Sequence, residues 1–144
     1  FTHCPDICPV TISTFSSLME LLGDKADQVA PVFITVDPAR DTPEVMKDFL
    51  SNFDKRIVGL TGSKEDIKAV ADAYKAYYSE AKKPATEGAV DHAAMGHTPP
   101  AADNYFVDHS GYIYLMDKEG KYVQHFSYNV SEQELADALK PYLQ

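Results

Sequence analysis

Two thiols with three residues between them, in the run Cys4-Pro5-Asp6-Ile7-Cys8-Pro9, carry the strongest chemical signal in the chain. They are its only cysteines. That is too few for a disulfide framework in a chain of this size, so the pair points to metal or redox chemistry more than to stapling. A helical pattern follows Pro9, which puts both sulfurs at a helix entrance. Free backbone N–H groups and the helix dipole there stabilise thiolates, the form that binds soft metals or attacks disulfides. A spacing near i, i+4 can place both sulfurs on one side of the chain. Two sulfurs leave a metal under-coordinated, so a ligand from elsewhere is expected. The competing reading is a plain structural disulfide.

Other groups have chemical potential and bland alternatives. Asp91-His92-Ala93-Ala94-Met95-Gly96-His97 gathers soft, flexible side chains, and His92, Met95 and His97 form a candidate auxiliary metal site. The bland alternative is a disordered linker with incidental His and Met. Asp37, Arg40 and Asp41 crowd a loop after a strand, where sites open in α/β sheets. Either they pair as Arg–carboxylate contacts at the rim of the site, or Asp41 or Thr42 caps a helix and Arg40 is solvated. His3 and His125 read as structural or exposed. Met19, Met46 and Met116 fall at core-facing positions and read as packing residues.

The elements that must position these groups follow from periodicity. Phe15, Leu18, Met19 and Leu22 recur at helical spacing before Gly23. Val32 to Val36 reads as a buried strand between Pro31 and Asp37-Pro38. A second helix is expected from about Pro43 with Met46, Phe49, Leu50 and Phe53 on one face, and a short strand from Ile57 to Leu60. A third helix opens at Ser63, turns Ile67, Val70, Ala71 and Tyr74 inward, and runs to about Tyr78. Periodicity then vanishes from Ser79 to Asp103, which reads as a mobile insertion. Tyr105 to Asp108 and Tyr112 to Met116 read as strands of a tight hairpin through His109-Ser110-Gly111. Lys118-Glu119-Gly120 turns into a strand from Tyr122 to Phe126. Ser131 and Glu134 form a capping-box pattern that opens a last helix, with Leu135, Ala138 and Leu139 inward. This order predicts a single α/β domain over residues 1–144, a three-layer sandwich of thioredoxin type.

The 144 residues are 44% hydrophobic, enough for one core. A net charge of −9 argues against nucleic acid or an anionic lipid surface as the main partner. A cationic protein surface or a metal ion suits it better. No run reaches the roughly 20 apolar residues of a membrane helix. The cysteine motif comes with no element before it, so an upstream segment, with any anchor, is expected to lie outside the sequence.

Phe1-Thr2-His3-Cys4-Pro5-Asp6-Ile7-Cys8-Pro9 resembles the signature of the Sco/SenC family. Val36-Asp37-Pro38-Ala39-Arg40-Asp41-Thr42-Pro43 resembles the family's loop after its next strand, and Val107-Asp108-His109-Ser110 the segment that supplies its histidine. The resemblance covers nearly the whole chain. It implies a thioredoxin-like fold with an N-terminal extension lacking here, and one copper ion, Cu(I) or Cu(II), held by Cys4, Cys8 and His109. Two thiolates and an imidazole suit copper, and Asp108 is a candidate to orient the imidazole or meet a partner, the bland alternative being a solvent-facing strand aspartate. The implied role is a metallochaperone that takes copper from a donor chaperone and delivers it to the copper-centre subunit of cytochrome c oxidase. It would face the bacterial periplasm, or alternatively the mitochondrial intermembrane space, on a membrane anchor. The main alternative is a thiol–disulfide oxidoreductase that reduces the oxidase's copper-centre cysteines with Cys4 and Cys8. A peroxidase and a copper or redox sensor are weaker rivals.

Overall fold

A computed structural model of the protein describes residues 1–5, 7–82 and 105–144, with backbone alone at 80–82, 105, 106 and 108. Helix α1 (Ile7–Leu22) is its spine. The helix includes Pro9 in its first turn, where the missing N–H would have no helical partner. Its inward residues recur at helical spacing and enter three clusters. Cys8 joins Phe1, Cys4 and Val107. Ile12 packs with Leu50 and Ile57, and Leu18 with Leu135, Ala136 and Leu139. One helix therefore ties the cysteine loop to both halves of the interior.

Strand β1 (Val32–Ile34), helix α2 (Pro43–Leu50) and strand β2 (Val58–Leu60) form a β–α–β unit, with Val32 opposite Val58 and Ile34 opposite Leu60 in parallel. Thr42 caps α2 by accepting from Val45 N, with Pro43 at the first helical position. The helix approaches β2 at Gly59, where an added Cβ would lie 2.5 Å from Leu50 Cδ1.

Helix α3 (Lys64–Tyr74) opens after Ser63, as expected, and Ser63 and Asp66 close a capping box there. It stops short of Tyr78 because Lys75 turns left-handed at φ 54°. Ala76 N then donates to Ala71 O at 2.8 Å and Lys75 N to Asp72 O at 3.2 Å, the paired bonds of a Schellman ending. The chain continues directly into β3 (Tyr78–Lys82), which corrects the expectation that the mobile insertion begins at Ser79. Residues 83–104 lie outside the described residues.

Strand β4 (Tyr105–His109) pairs antiparallel with β3, with His109 opposite Tyr78. The expected hairpin through residues 109–111 is therefore overturned: β5 (Tyr112–Met116) pairs with β6 (Tyr122–Ser127) instead. The β5–β6 turn falls where expected, with Gly120 at φ 76° and the Asp117 carboxylate accepting from Glu119 N and Lys121 N. Helix α4 (Glu132–Leu139) starts at the Ser131–Glu134 capping box and buries Leu135, Ala136 and Leu139. Ala136 takes the fully buried place expected of Ala138.

Alternation along β5 sets the layers. Ile113 and Leu115 face α1 and α4, while Tyr114 meets Tyr74 of α3 at 5.2 Å between ring centroids. Helices thus cover both faces of the hairpin, the three-layer α/β arrangement expected. Among the described residues no helix is long and apolar enough to cross a membrane.

The loop into β2 carries a pH-sensitive pair. Arg56 donates to both oxygens of Asp54, at 2.9 and 2.7 Å, and holds its carboxyl down from 3.8 to about 2. A depressed folded pKa gives stability that is present above the ordinary carboxylate range and lost as pH falls through the folded value. Asp54→Asn is expected to reduce urea stability at neutral pH, with the deficit against wild type shrinking between about pH 4 and pH 2. An unchanged deficit across that range would show that the pair's charge is not what stabilises.

Candidate metal centre

The cysteine limb is short and tightly turned. Cys4 N donates to Phe1 O at 3.2 Å, and the Phe1 nitrogen donates to Cys8 Sγ at 3.5 Å. Cys8 occupies the first turn of α1, where amides without a helical carbonyl partner favour a negatively charged ligand. Both residues are buried free thiols, walled by Phe1, Val107, Ile7, Phe33, Val36 and Tyr78.

The histidine limb comes from the far end of the chain. His109 ends β4 opposite Tyr78. The next residue is clamped, since Ser110 N donates to Tyr77 O at 2.8 Å and Tyr77 N donates to Ser110 Oγ at 2.9 Å. His109 Nδ1 lies 2.9 Å from Ser110 O. A carbonyl only accepts, so Nδ1 carries a proton, which in the neutral ring leaves the lone pair on Nε2. That lone pair lies 3.8 Å from Cys8 Sγ.

The three donor atoms of Cys4, Cys8 and His109 all lie within 4.8 Å of one another. A first-row metal in a trigonal plane, with bonds of about 2.3 Å to sulfur and about 2.0 Å to nitrogen, would hold those two atoms about 3.7 Å apart. The separation of Cys8 Sγ and His109 Nε2 matches, and the donor set is soft, so the residues fit a copper ion.

The other expected groups fall out differently. His92, Met95 and His97 lie outside the described residues, as does the side chain of Asp108. The acceptor that orients His109 is the Ser110 carbonyl, a backbone group with no side-chain signature. His3 is exposed, as expected, and His125 bonds the Tyr122 hydroxyl on the surface at 2.6 Å. Met19 and Met46 are core residues.

The Asp37–Arg40–Asp41 loop touches the site. Arg40 Nε donates to Asp37 Oδ2 at 2.5 Å, and its guanidinium stands 5.9 Å from the Phe1 ring centre. Phe1 in turn meets the His109 ring edge-to-face at 5.7 Å. Thr42, not Asp41, caps α2. Asp41 is fully buried and accepts from Thr2 N at 2.9 Å, Thr2 Oγ1 at 2.5 Å and Thr35 Oγ1 at 2.5 Å. Thr2, Thr35 and Phe1 are the neighbours that sequence reasoning missed. Nothing local signals that Thr2 and Asp41 meet across 39 positions.

A Cys-x-x-x-Cys helix entrance facing a strand-end histidine, on an α/β scaffold of thioredoxin type, defines a soft-metal or thiol-redox domain. The SCO1/SenC family model matches residues 1–144, and the chain belongs to that family. A SCO2-like protein of Rickettsia prowazekii is 37% identical over 140 residues, covering 97% of this chain and 61% of its own length. The mitochondrial SCO2 of Saccharomyces cerevisiae is also 37% identical, over all of this chain and 43% of its own. The structure of Bradyrhizobium japonicum ScoI with copper bound superposes with a TM-score of 0.79 at 36% identity, covering 99% of this chain and 80% of that one. BsSco, a member of the Sco family of cytochrome c oxidase assembly proteins, shares the fold at 24% identity and TM-score 0.61, over 99% and 75% of the two chains. The chain thus spans about three-fifths or less of the length of these two curated relatives.

Proposed function

We propose that this chain holds one copper ion on Cys4, Cys8 and His109 and hands it to the copper-centre subunit of cytochrome c oxidase during assembly. The observation that carries this reading is the convergence of two buried thiols and an imidazole, its lone pair already aimed at Cys8, within 4.8 Å. A pure dithiol reductase would have little use for that imidazole.

Each residue has a definite task. Cys4 and Cys8 bind as thiolates, so loading releases their protons to solvent. His109 supplies the neutral donor, its Nδ1–H locked on Ser110 O. Handover is ligand exchange: a donor group of the acceptor enters as one of these three leaves, with copper's oxidation state unchanged. The net charge of −9 suits docking to cationic patches on acceptor and copper donor. Bacterial and mitochondrial relatives support a home on the periplasmic face of a bacterial membrane, or alternatively in the mitochondrial intermembrane space.

The proximity of the two free sulfurs supports a second reading, reduction of the oxidase's copper-centre cysteines. Cys4 and Cys8 would pass two electrons and two protons to a partner disulfide and close their own. Titration of the reduced protein with Cu(I) and Cu(II) separates the two. One tight equivalent with thiolate-to-copper charge-transfer absorption, lost in Cys8→Ser, is expected. Turnover of a model disulfide without metal binding would move the assignment to the reductase.

A further inference from the structure

Asp41 is a wholly buried carboxylate that the ligand set does not use. Three donors converge on its two oxygens, and two of them, the amide and hydroxyl of Thr2, belong to the cysteine loop. The third, the Thr35 hydroxyl, lies just past β1 and also accepts from Asp37 N at 3.0 Å. Among the described residues, every hydrogen bond that leaves residues 1–5 for a part of the chain beyond α1 ends on Asp41. Arg40, the preceding residue, lies against the Phe1 ring, and Phe1 packs on the ligand histidine. The loop after β1 therefore reaches one limb of the site through Thr2 and the other through Phe1.

We propose that Asp41 is the positioning residue of the metal centre, holding Thr2 so that Cys4, Cys8 and His109 keep their separation whether or not metal is bound. A carboxylate suits this task because both of its oxygens accept, as they do here. Asparagine offers one acceptor oxygen for the same donors. A site assembled from a loop and a distant strand needs such a hold, since displacements of about 0.5 Å degrade a ligand constellation.

The proposal rests on the copper reading, and its test has one arm that does not. The reduced protein is compared with Thr2→Val, Thr2→Ser and Asp41→Asn. Each is assayed for copper affinity by competition and for its Cu(II) charge-transfer spectrum. The Cys4–Cys8 dithiol–disulfide midpoint of the metal-free protein against glutathione, and Tm, are measured alongside. Thr2→Val and Asp41→Asn are expected to weaken affinity by about 10–100-fold, the range for groups that orient ligands. Both should also displace the spectrum and the midpoint, while Thr2→Ser, which keeps the hydroxyl, stays at wild type. If Thr2→Val and Asp41→Asn lower Tm yet leave affinity, spectrum and midpoint at wild type, Asp41 is only a structural group and the proposal falls. If wild type binds no copper, the functional reading falls, and the midpoints alone decide the role of Asp41.

Discussion

His109→Ala is expected to lower the copper affinity of the reduced protein by more than about 100-fold, beyond the roughly 10–100-fold that follows loss of an orienting partner. The substitution leaves two thiolates without a third donor, and nothing among the described residues replaces Nε2: the one group able to hold a metal is Cys4, Cys8 and His109. His3 lies close in sequence, but it is exposed and its Nδ1 faces Thr2 Oγ1 at 3.2 Å and the Asp41 carboxylate at 3.9 Å. The fold should survive. His109 is only half-buried at the end of β4, and the strand's hold on β3 runs through backbone bonds and the Ser110–Tyr77 clamp. Competition titration with a Cu(I) chelator, with circular dichroism as the control, reads both. Affinity within a few-fold of wild type would eliminate the three-donor site and leave a dithiol with redox work to do, for which His109 is dispensable.

Ile12→Ala acts on α1, away from the ligand atoms, and should do the reverse. Ile12 is 1% exposed, one turn beyond Cys8, and packs with Leu50 and Ile57 amid Phe15, Phe33, Phe49 and Phe53. Truncation removes buried methyls and leaves a cavity among rings that cannot readily collapse into it, a cost of about 2–5 kcal/mol. A domain of this size has about 5–15 kcal/mol in total, so the loss is large, and Tm should fall by roughly 6–20 °C. Thermal and urea unfolding of the metal-free protein measure it. At temperatures where the variant remains folded, its copper affinity should stay near wild type, because the cavity opens below the ligands and the Thr2–Asp41 hold is intact. A loss under about 1 kcal/mol would mean that the cluster relaxes around the gap and that α1 is anchored elsewhere.

Much of this protein is local, and the local part was legible. Two capping boxes, at Ser63 and Ser131, and the Thr42-Pro43 start of α2 announce helix beginnings through bonds spanning three residues. The Tyr112 to Met116 run marked strand β5, and the Cys-x-x-x-Cys spacing marked the chemistry. Helix α3 was read too long because Tyr74, Tyr77 and Tyr78 continue an apolar pattern. What ends the helix is the left-handed turn at Lys75, a residue with no intrinsic preference for it. Strand β3 was missed because Ser79-Glu80-Ala81-Lys82 has little strand propensity of its own. Pairing with β4 confers the conformation, as tertiary contacts often override local preference. The same pairing displaced the expected hairpin at His109 and made that residue the end of a strand.

The sequence by itself determined which atoms were available for chemistry: two thiols at a helix entrance and, by family resemblance, an imidazole far along the chain. Only the tertiary structure decided that they meet. Cys8 and His109 are 101 positions apart, Thr2 and Asp41 are 39 apart, and the bond that orients His109 ends on a backbone carbonyl. Helix caps and strand alternation are set by neighbours a few residues away and are written in residue types. Contacts across the fold are set by how strands pair and clusters pack, and a backbone acceptor or a buried threonine leaves no mark in the sequence that distinguishes it from any other.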